Sequence, residues 1–312
     1  MHVADNQCDS RPTRQIMLPV RRPTDVHTGL AVDEVARGSS GYPSRLLLLS
    51  DAPAVLWVRG RVPMDGGRAV AIVGARAASG AGCERARVLA ADLAQKGVAV
   101  ISGGAFGIDA AAHEGALAAA AAPTFAVLGC GVDVTYPDRH GPLFARIAAK
   151  GGLLSEYPLG TPPRAGQFPR RNRIIAALGD AVVVVEAAYR SGALITAALA
   201  RSLGRPVLAI PGSNGTDRLL QKGHAWPVTS AADVEEALAG RRPVSLDRAE
   251  PPAGTVASLV AALREGAATP AALSRSIGLP LPAIMAALVE AELDGWICRI
   301  PGNQYEVNRR GC

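Results

Sequence analysis

A chain of 312 residues is long enough to bury one large core and a second, small one, and its 49% apolar content excludes an intrinsically disordered protein. The net charge of +6 points toward polyanionic partners, and because residues 1–50 carry six Arg against five acids and residues 241–312 eight against seven, the excess sits in the middle of the chain. Five scattered cysteines (Cys8, Cys83, Cys130, Cys298, Cys312) never form a C-x-x-C pair, and no apolar run reaches membrane-spanning length, so the expectation is a cytoplasmic protein with no disulfide framework, metal site or membrane insertion.

Residues 1–41 are polar, bear Pro and Arg, and show no sustained periodicity, so they read as a flexible tail and not as a signal peptide. Order is expected from Tyr42, with short apolar runs at Leu46–Leu49 and Val55–Val58. From Arg68 onward strands alternate with helices. Val70–Val73 precedes the loop G-A-R-A-A-S-G-A-G and a helix to about Lys96. Val98–Ile101 precedes S-G-G-A-F-G-I-D and a helix through the alanine run, and Thr124–Leu128 precedes G-C-G-V-D. Leu153-Leu154, Ala181–Val185 and Pro206–Ile210 continue the series. Apolar, β-branched strands separated by helices define right-handed βαβ units, and hence an α/β, extended Rossmann-like, doubly wound parallel sheet spanning residues 42–240. Residues 241–254 carry charge and proline without periodicity and read as a linker. In 255–312, Val256, Leu259, Val260 and Leu263 fall at helical spacing, and a short helix follows Pro270. A third helix follows Pro282, with Ile284, Leu288 and Leu293 directed inward. A hairpin turning at Gly302-Asn303 closes what reads as a small winged-helix domain.

Ligands of open α/β sheets bind beyond the C-terminal strand ends. Several of those ends carry glycine or serine: Gly74, Ser102-Gly103-Gly104, Gly129 and Gly131, and Gly212-Ser213. Tight βα turns account for each loop alone, whereas their convergence on one edge favours a phosphate-handling face. The window 157–179 holds Arg164, Arg170, Arg171 and Arg173 around Asn172 without one acidic residue, just ahead of helix-forming Ile174–Leu178. Cations crowd a helix N-terminus unfavourably unless an anion joins them. For any single arginine of this group, pairing with Glu156 or Glu186 is the alternative. Arg76 is placed to clamp a phosphate or to form a surface ion pair. Ser191, Gly192 and Thr196 open the helix after Val182–Glu186, where Ser191 also suits an N-cap and Thr196 a bond to its own helix. Asp109 and His113 read as a helix-start acid and a local hydrogen bond. There is no Walker motif, no G-x-G-x-x-G and no nucleophile–base–acid grouping, so the expectation is a non-enzyme without cofactors.

The ordered motifs V-A-I-V-G-A-R, S-G-G-A-F-G-I-D-A-A-A-H, A-V-L-G-C-G-V-D-V-T-Y-P, G-L-L-S-E-Y-P-L-G-T-P-P, F-P-R-R-N-R-I-I-A, V-V-E-A-A-Y-R-S-G-A-L-I-T-A and I-P-G-S resemble the DprA/Smf family of DNA-processing proteins over about Tyr42–Ala239. The stretch E-A-E-L-D-G-W-I-C-R-I-P-G-N-Q-Y looks like that family's C-terminal winged helix. The resemblance implies a homodimer that binds single-stranded DNA, protects incoming strands and loads RecA recombinase during natural transformation. Carried over by position, it implies DNA contacts at Arg76 and across Phe168, Arg170, Arg171, Asn172 and Arg173, with Ser102, Gly103 and Gly104 nearby.

Phe106 stands where the family often has Arg, which takes away a phosphate ligand or supplies a stacking ring. The helical domain that many members carry before the Rossmann fold is expected to be missing, with the tail in its place, and the segment between Ser213 and Leu219 is shorter than usual. The alternative is a Rossmann-fold hydrolase of the glycosidic bond of nucleoside monophosphates. Those enzymes carry P-G-G-x-G-T-x-x-E, and Pro211-Gly212-Ser213 lacks both the second glycine and the acid. The third winged-helix helix region bears Glu290, Glu292 and Asp294 and no Lys or Arg, which disfavours duplex reading and suits a partner-binding or regulatory role.

Overall fold

The computed structural model describes residues 31–119, 121–241, 254–266, 268–293, 296–300 and 302–307. Most of the tail (1–30) and linker (242–253), together with Asp294, lie outside the described residues.

The strands β1 (Val32–Ala36), β2 (Val55–Gly60), β3 (Ala69–Val73), β4 (Ala99–Ser102), β5 (Thr124–Val127), β6 (Gly152–Ser155), β7 (Ala181–Val184), β8 (Val207–Ala209) and β9 (Trp226–Pro227) form one nine-stranded sheet in the order β1-β2-β6-β5-β4-β3-β7-β8-β9. The seven strands from β6 to β9 are parallel, whereas β1 and β2 add an antiparallel edge. The expected doubly wound sheet is present, and its central strands β3 and β7 are buried at every position, as strands covered on both faces must be. The edge pair departs from expectation. A tail reaching residue 41 is not what forms, because Val32 pairs with Arg59 and Ala36 with Val55. Only Val32 of V-D-E-V-A is buried, so the strand carries charge where a core strand carries side chains that pack; edge strands are protected from aggregation in just this way. The Leu46–Leu49 apolar run lies largely in a short helical turn. Ser44–Leu48 is a 3-10 turn that buries Leu46 and leaves Leu47 and Leu48 exposed.

Helices α1 (Gly80–Gln95), α2 (Ile108–Ala118) and α7 (Ala231–Leu238) cover one face of the sheet through Leu89, Leu93, Ile108 and Val234. On the other face lie α4 (Gln167–Leu178), α5 (Gly192–Ser202) and α6 (Asn214–Gln221), through Ile174, Ile175, Ala197, Leu219 and Leu220. Helix α3 (Gly141–Lys150) packs Phe144 and Ile147 against the β5–β6 side. Alanine-rich α1 and α2 approach closely, and a Cβ at Gly115 would fall 2.0 Å from the Arg87 carbonyl oxygen, so that crossing admits no side chain. The chain runs outward from β3 through β4, β5 and β6, then returns to place β7 on the other side of β3. A crevice therefore opens beyond the carboxyl ends of β3 and β7, the position where such sheets bind ligands.

In the C-terminal part, α8 (Thr255–Arg264), α9 (Pro270–Ile277) and α10 (Leu281–Leu293) enclose Leu259, Leu273, Ile284 and Leu288. The hairpin β10 (Ile297–Ile300) and β11 (Gln304–Val307) adds Ile297 and Tyr305 to that core, turning through Gly302 and Asn303, both at positive φ. This is the expected winged helix. Among the described residues no single helix is long and apolar enough to cross a membrane.

Candidate nucleic-acid interface

Helix α4 begins at Gln167, one to two turns ahead of the boundary expected from Ile174–Leu178. Phe168 and Pro169 occupy its first turn, where proline's missing N–H costs nothing. Gly166 offers no capping side chain, and the first turn contains no acid. The arginines therefore lie within the helix, and the roughly 100° of rotation per residue turns each toward a different environment.

Arg170 keeps 60% of its side chain exposed and only grazes Glu156, at 3.4 Å. Arg171 points inward and is 4% exposed. Its Nη1 donates to the carbonyl oxygens of Gly103 (2.7 Å) and Val127, at the ends of β4 and β5. Burial pushes this guanidinium down to about 10, opposed by the charge of Asp109. Asp109 is itself buried and accepts from the N–H groups of Gly103 (3.1 Å) and Ala105 (3.4 Å); desolvation raises its pKa while Arg171 and those donors lower it. A Cβ on Gly103 would stand 2.6 Å from Arg171 Nη2 and 2.7 Å from Asp109 Oδ2, so glycine is the residue that lets these charges meet across the loop.

Arg173 lines neither hollow at this end of the sheet. It forms a two-pronged pair with Glu156 (3.0 and 2.9 Å) and bonds Asp51 Oδ2 (2.8 Å), all with the guanidinium buried. Asn172 donates to the Gly192 carbonyl (3.3 Å) and ties α4 to the start of α5.

Between α4 and the ends of β3 and β7 lies an open hollow of about 520 Å³. Gly74, Ser191, Gly192 and Thr196 line it on the β3 and β7 side; Arg171, Asn172 and Asp109 line it deeper, and Arg76 and Phe168 stand among its walls. Phe168 is the hinge of this wall. The Arg76 guanidinium lies 5.2 Å from its ring centroid, a cation–π distance, and Tyr136 packs against it at 5.5 Å. Arg76 is exposed and has no carboxylate partner among the described residues. A smaller hollow shares Arg76, Tyr136, Phe168 and Arg171 and continues to Gly103, Gly104 and Phe106. Phe106 is 45% exposed, edge-on to His140. Tyr136 is not among the residues expected here, although V-T-Y-P places it directly after the Gly131 loop.

Several expected phosphate contacts have other duties. Ser102 is fully buried and donates its hydroxyl to the Ile72 carbonyl (2.6 Å), locking β4 to β3. Gly129 makes room for Phe168, whose ring comes within 2.9 Å of where a Cβ would stand. The Gly131 N–H is already given to Thr161 (3.0 Å). The Gly212 N–H is given to Asp217 (2.8 Å), while Ser213 caps α6 and accepts from Ala187 (3.0 Å). Ser191 accepts from Ala193 (3.3 Å) as an N-cap, and Thr196 is 1% exposed. Of the expected residues, the hollow collects Gly74, Arg76, Phe168, Arg171, Asn172, Ser191, Gly192 and Thr196; the Gly129, Gly131 and Gly212-Ser213 loops support it from behind or stand apart.

Two further buried titratable groups, His113 and Cys130, do not line the hollow. Burial holds His113 at about 3 and raises the Cys130 thiol to about 11. Among the described residues no cluster of three His, Cys, Asp or Glu could hold a metal ion.

A doubly wound, mostly parallel sheet with a ligand crevice at its switch point and a C-terminal winged helix defines a Rossmann-like α/β protein of the two-domain kind. The family model for DNA recombination-mediator protein A matches residues 34–239, and the DprA winged helix domain matches 243–303. The chain belongs to this DprA/Smf family. It is 38% identical to protein Smf of Escherichia coli over 290 residues, covering 88% of this chain and 77% of that protein. It is 48% identical to the putative DNA processing protein DprA of Mycobacterium tuberculosis over 205 residues, 63% of this chain and 52% of that one, so it spans about half of that relative's length. The solved DprA of Helicobacter pylori, described for its single-stranded DNA binding mode, superposes with a TM-score of 0.62 at 30% identity, over 69% of this chain and 98% of the other.

Proposed function

We propose that this chain binds single-stranded DNA, with phosphates held by Arg76 at the mouth of the hollow and a base stacked against Phe168. The observation that carries this reading is the Arg76–Phe168 pair itself. It offers an exposed cation without a carboxylate beside an aromatic ring, at the switch point of the sheet. Backbone charge and base faces are the two features every single strand presents whatever its sequence. Family membership and the single-strand binding of the Helicobacter pylori protein support it. In the same reading the chain acts without chemistry of its own, in the cytoplasm and as a homodimer, protecting incoming strands and handing them to RecA recombinase. The glycosidic-bond hydrolase alternative finds no support at the loop it needs, because the Gly212 N–H is given to Asp217 and Ser213 caps α6.

The test is Arg76→Ala in the full chain, measured against oligothymidine over a salt series. Leaving one phosphate without its arginine flattens the log–log slope by about 0.7, and affinity falls. An unchanged slope and affinity in the folded variant overturn the site. RecA ATPase on strands precoated with a single-strand-binding protein, with and without this chain, tests the handover; no stimulation rejects that role.

A further inference from the structure

Between residues 187 and 232 the chain carries Arg190, Arg201, Arg205, Arg218 and Lys222 against a single acid, Asp217. This second acid-poor stretch folds into the loop after β7, helix α5 and helix α6. Arg205 faces away, toward Asp180 at 3.9 Å. The other four cations have no carboxylate partner among the described residues, and Asp217 is engaged with the Gly212 N–H (2.8 Å). By contrast, the exposed cations Arg68, Arg87 and Lys96 of the same domain each lie against a glutamate.

The cluster is assembled in space as well as in sequence. The Arg218 guanidinium lies over the Tyr189 ring, 4.1 Å from its centroid, and that ring is 56% exposed. Arg201, Lys222 and Arg218 are close enough to His224 that, after desolvation, their charges help to hold its imidazole below the ordinary value. Helices α5 and α6 lie on one face of the sheet, anchored by Ala197, Leu219 and Leu220. The 11 residues of α5 carry the patch about 16 Å down that face at ~1.5 Å per residue. Its upper end, Tyr189-Arg190, directly precedes Ser191-Gly192, which line the main hollow.

We infer that Tyr189, Arg201, Arg218 and Lys222 form a second nucleic-acid contact, a track for the phosphate backbone of a single strand as it leaves the Arg76–Phe168 hollow. This rests on the single-strand reading of that hollow. An exposed tyrosine stacked on an arginine, within a run of cations, suits a sequence-indifferent path along a flexible strand. An acidic protein surface would be attracted by the same charges but would leave strand-length dependence untouched.

The experiment compares oligothymidines of about six and about thirty nucleotides, one short enough to fill only the hollow and one long enough to reach the track. The full chain is used, with the variants Arg201→Ala/Arg218→Ala/Lys222→Ala and Arg76→Ala. The triple variant is expected to bind the short strand as before and the long strand about tenfold more weakly, with its salt slope flattened by about 2, at ~0.7 for each of the three cations removed. Arg201→Lys/Arg218→Lys, which keeps the charges, is expected to retain most of the long-strand affinity, and melting temperatures verify that all variants fold. Long-strand binding unchanged in the triple variant overturns the track; if Arg76→Ala still weakens both strands, the hollow stands without it. Equal weakening of both strands by the triple variant also overturns it, because the residues then belong to the hollow. Failure of the wild-type chain to bind either strand removes both.

Discussion

His113 Nδ1 lies 2.8 Å from the Thr124 hydroxyl, which itself donates to the Val100 carbonyl at 2.9 Å. The ring must therefore donate through Nδ1, leaving Nε2 as a buried acceptor without a partner. Desolvation, with smaller contributions from His140 and Arg171, lowers this imidazole from 6.5 to about 3. A base whose folded pKa lies below its unfolded value contributes stability that is fully present above the unfolded pKa and is lost as pH falls from there. The window here is 6.5 down to about 3. One proton taken up on unfolding costs about 1.4 kcal/mol per pH unit. Unfolding free energies from urea titrations at pH 6 and pH 5 are expected to fall more steeply for the wild type than for His113→Gln, by about that slope. Parallel lines would show that His113 is protonated in the fold. The i, i+4 spacing of Asp109 and His113 gave no hint of this, because the partner that matters, Thr124, lies on β5 and not on the same helix. What the spacing did indicate, a helix-start acid, holds: Asp109 gathers the N–H groups that precede α2.

Helix α4 shows what a cluster of like residues conceals. Arg170, Arg171 and Arg173 look equivalent in sequence, and the window 157–179 around them holds no acid. Their division of labour depends on helical phase, and the phase is not legible because Phe168-Pro169 reads as a loop until it is seen as a first turn. One arginine faces solvent, the next props the Gly103 and Val127 carbonyls, and the third is consumed by Glu156 and Asp51. The ion pair that sequence alone allowed for any one arginine is the fate of Arg173. Glu156 and Arg173 are both nearly buried, at 7% and 8% side-chain exposure, so removing one partner strands the other charge, at about 3–5 kcal/mol. Arg173→Ala is expected to lower the unfolding free energy by that order, with oligothymidine affinity per folded molecule little changed. Arg170→Ala is expected to move stability by no more than about 0.5 kcal/mol and to weaken binding. Denaturation and binding titrations on the pair check both; the opposite assignment would reverse the two outcomes.

At the scale of the molecule, strand alternation and glycine-tipped loops made the parallel sheet legible, while the antiparallel edge was hidden by the polar character of V-D-E-V-A. The glycine loops were legible as a group but not individually, since only backbone geometry reveals that the Gly131 and Gly212 N–H groups are already committed. The architecture that results bears on which nucleic acid can bind. The hollow is recessed between α4 and the ends of β3 and β7, and a base reaching Phe168 must leave its stack. Duplex DNA is stiff, and unstacking one of its bases costs a few kcal/mol. The winged helix does not compensate. Helix α10 turns Leu281, Met285 and Val289 outward with Glu290 and Glu292, and carries no Lys or Arg to meet phosphates. A duplex competitor is therefore expected to displace labelled oligothymidine at least about tenfold less effectively than an unlabelled single strand at equal nucleotide concentration, about 1.4 kcal/mol being one decade. Equal competition, together with duplex-induced chemical-shift changes along α10, would make the winged helix a duplex reader and move the specificity of the protein from its crevice to its C-terminal domain.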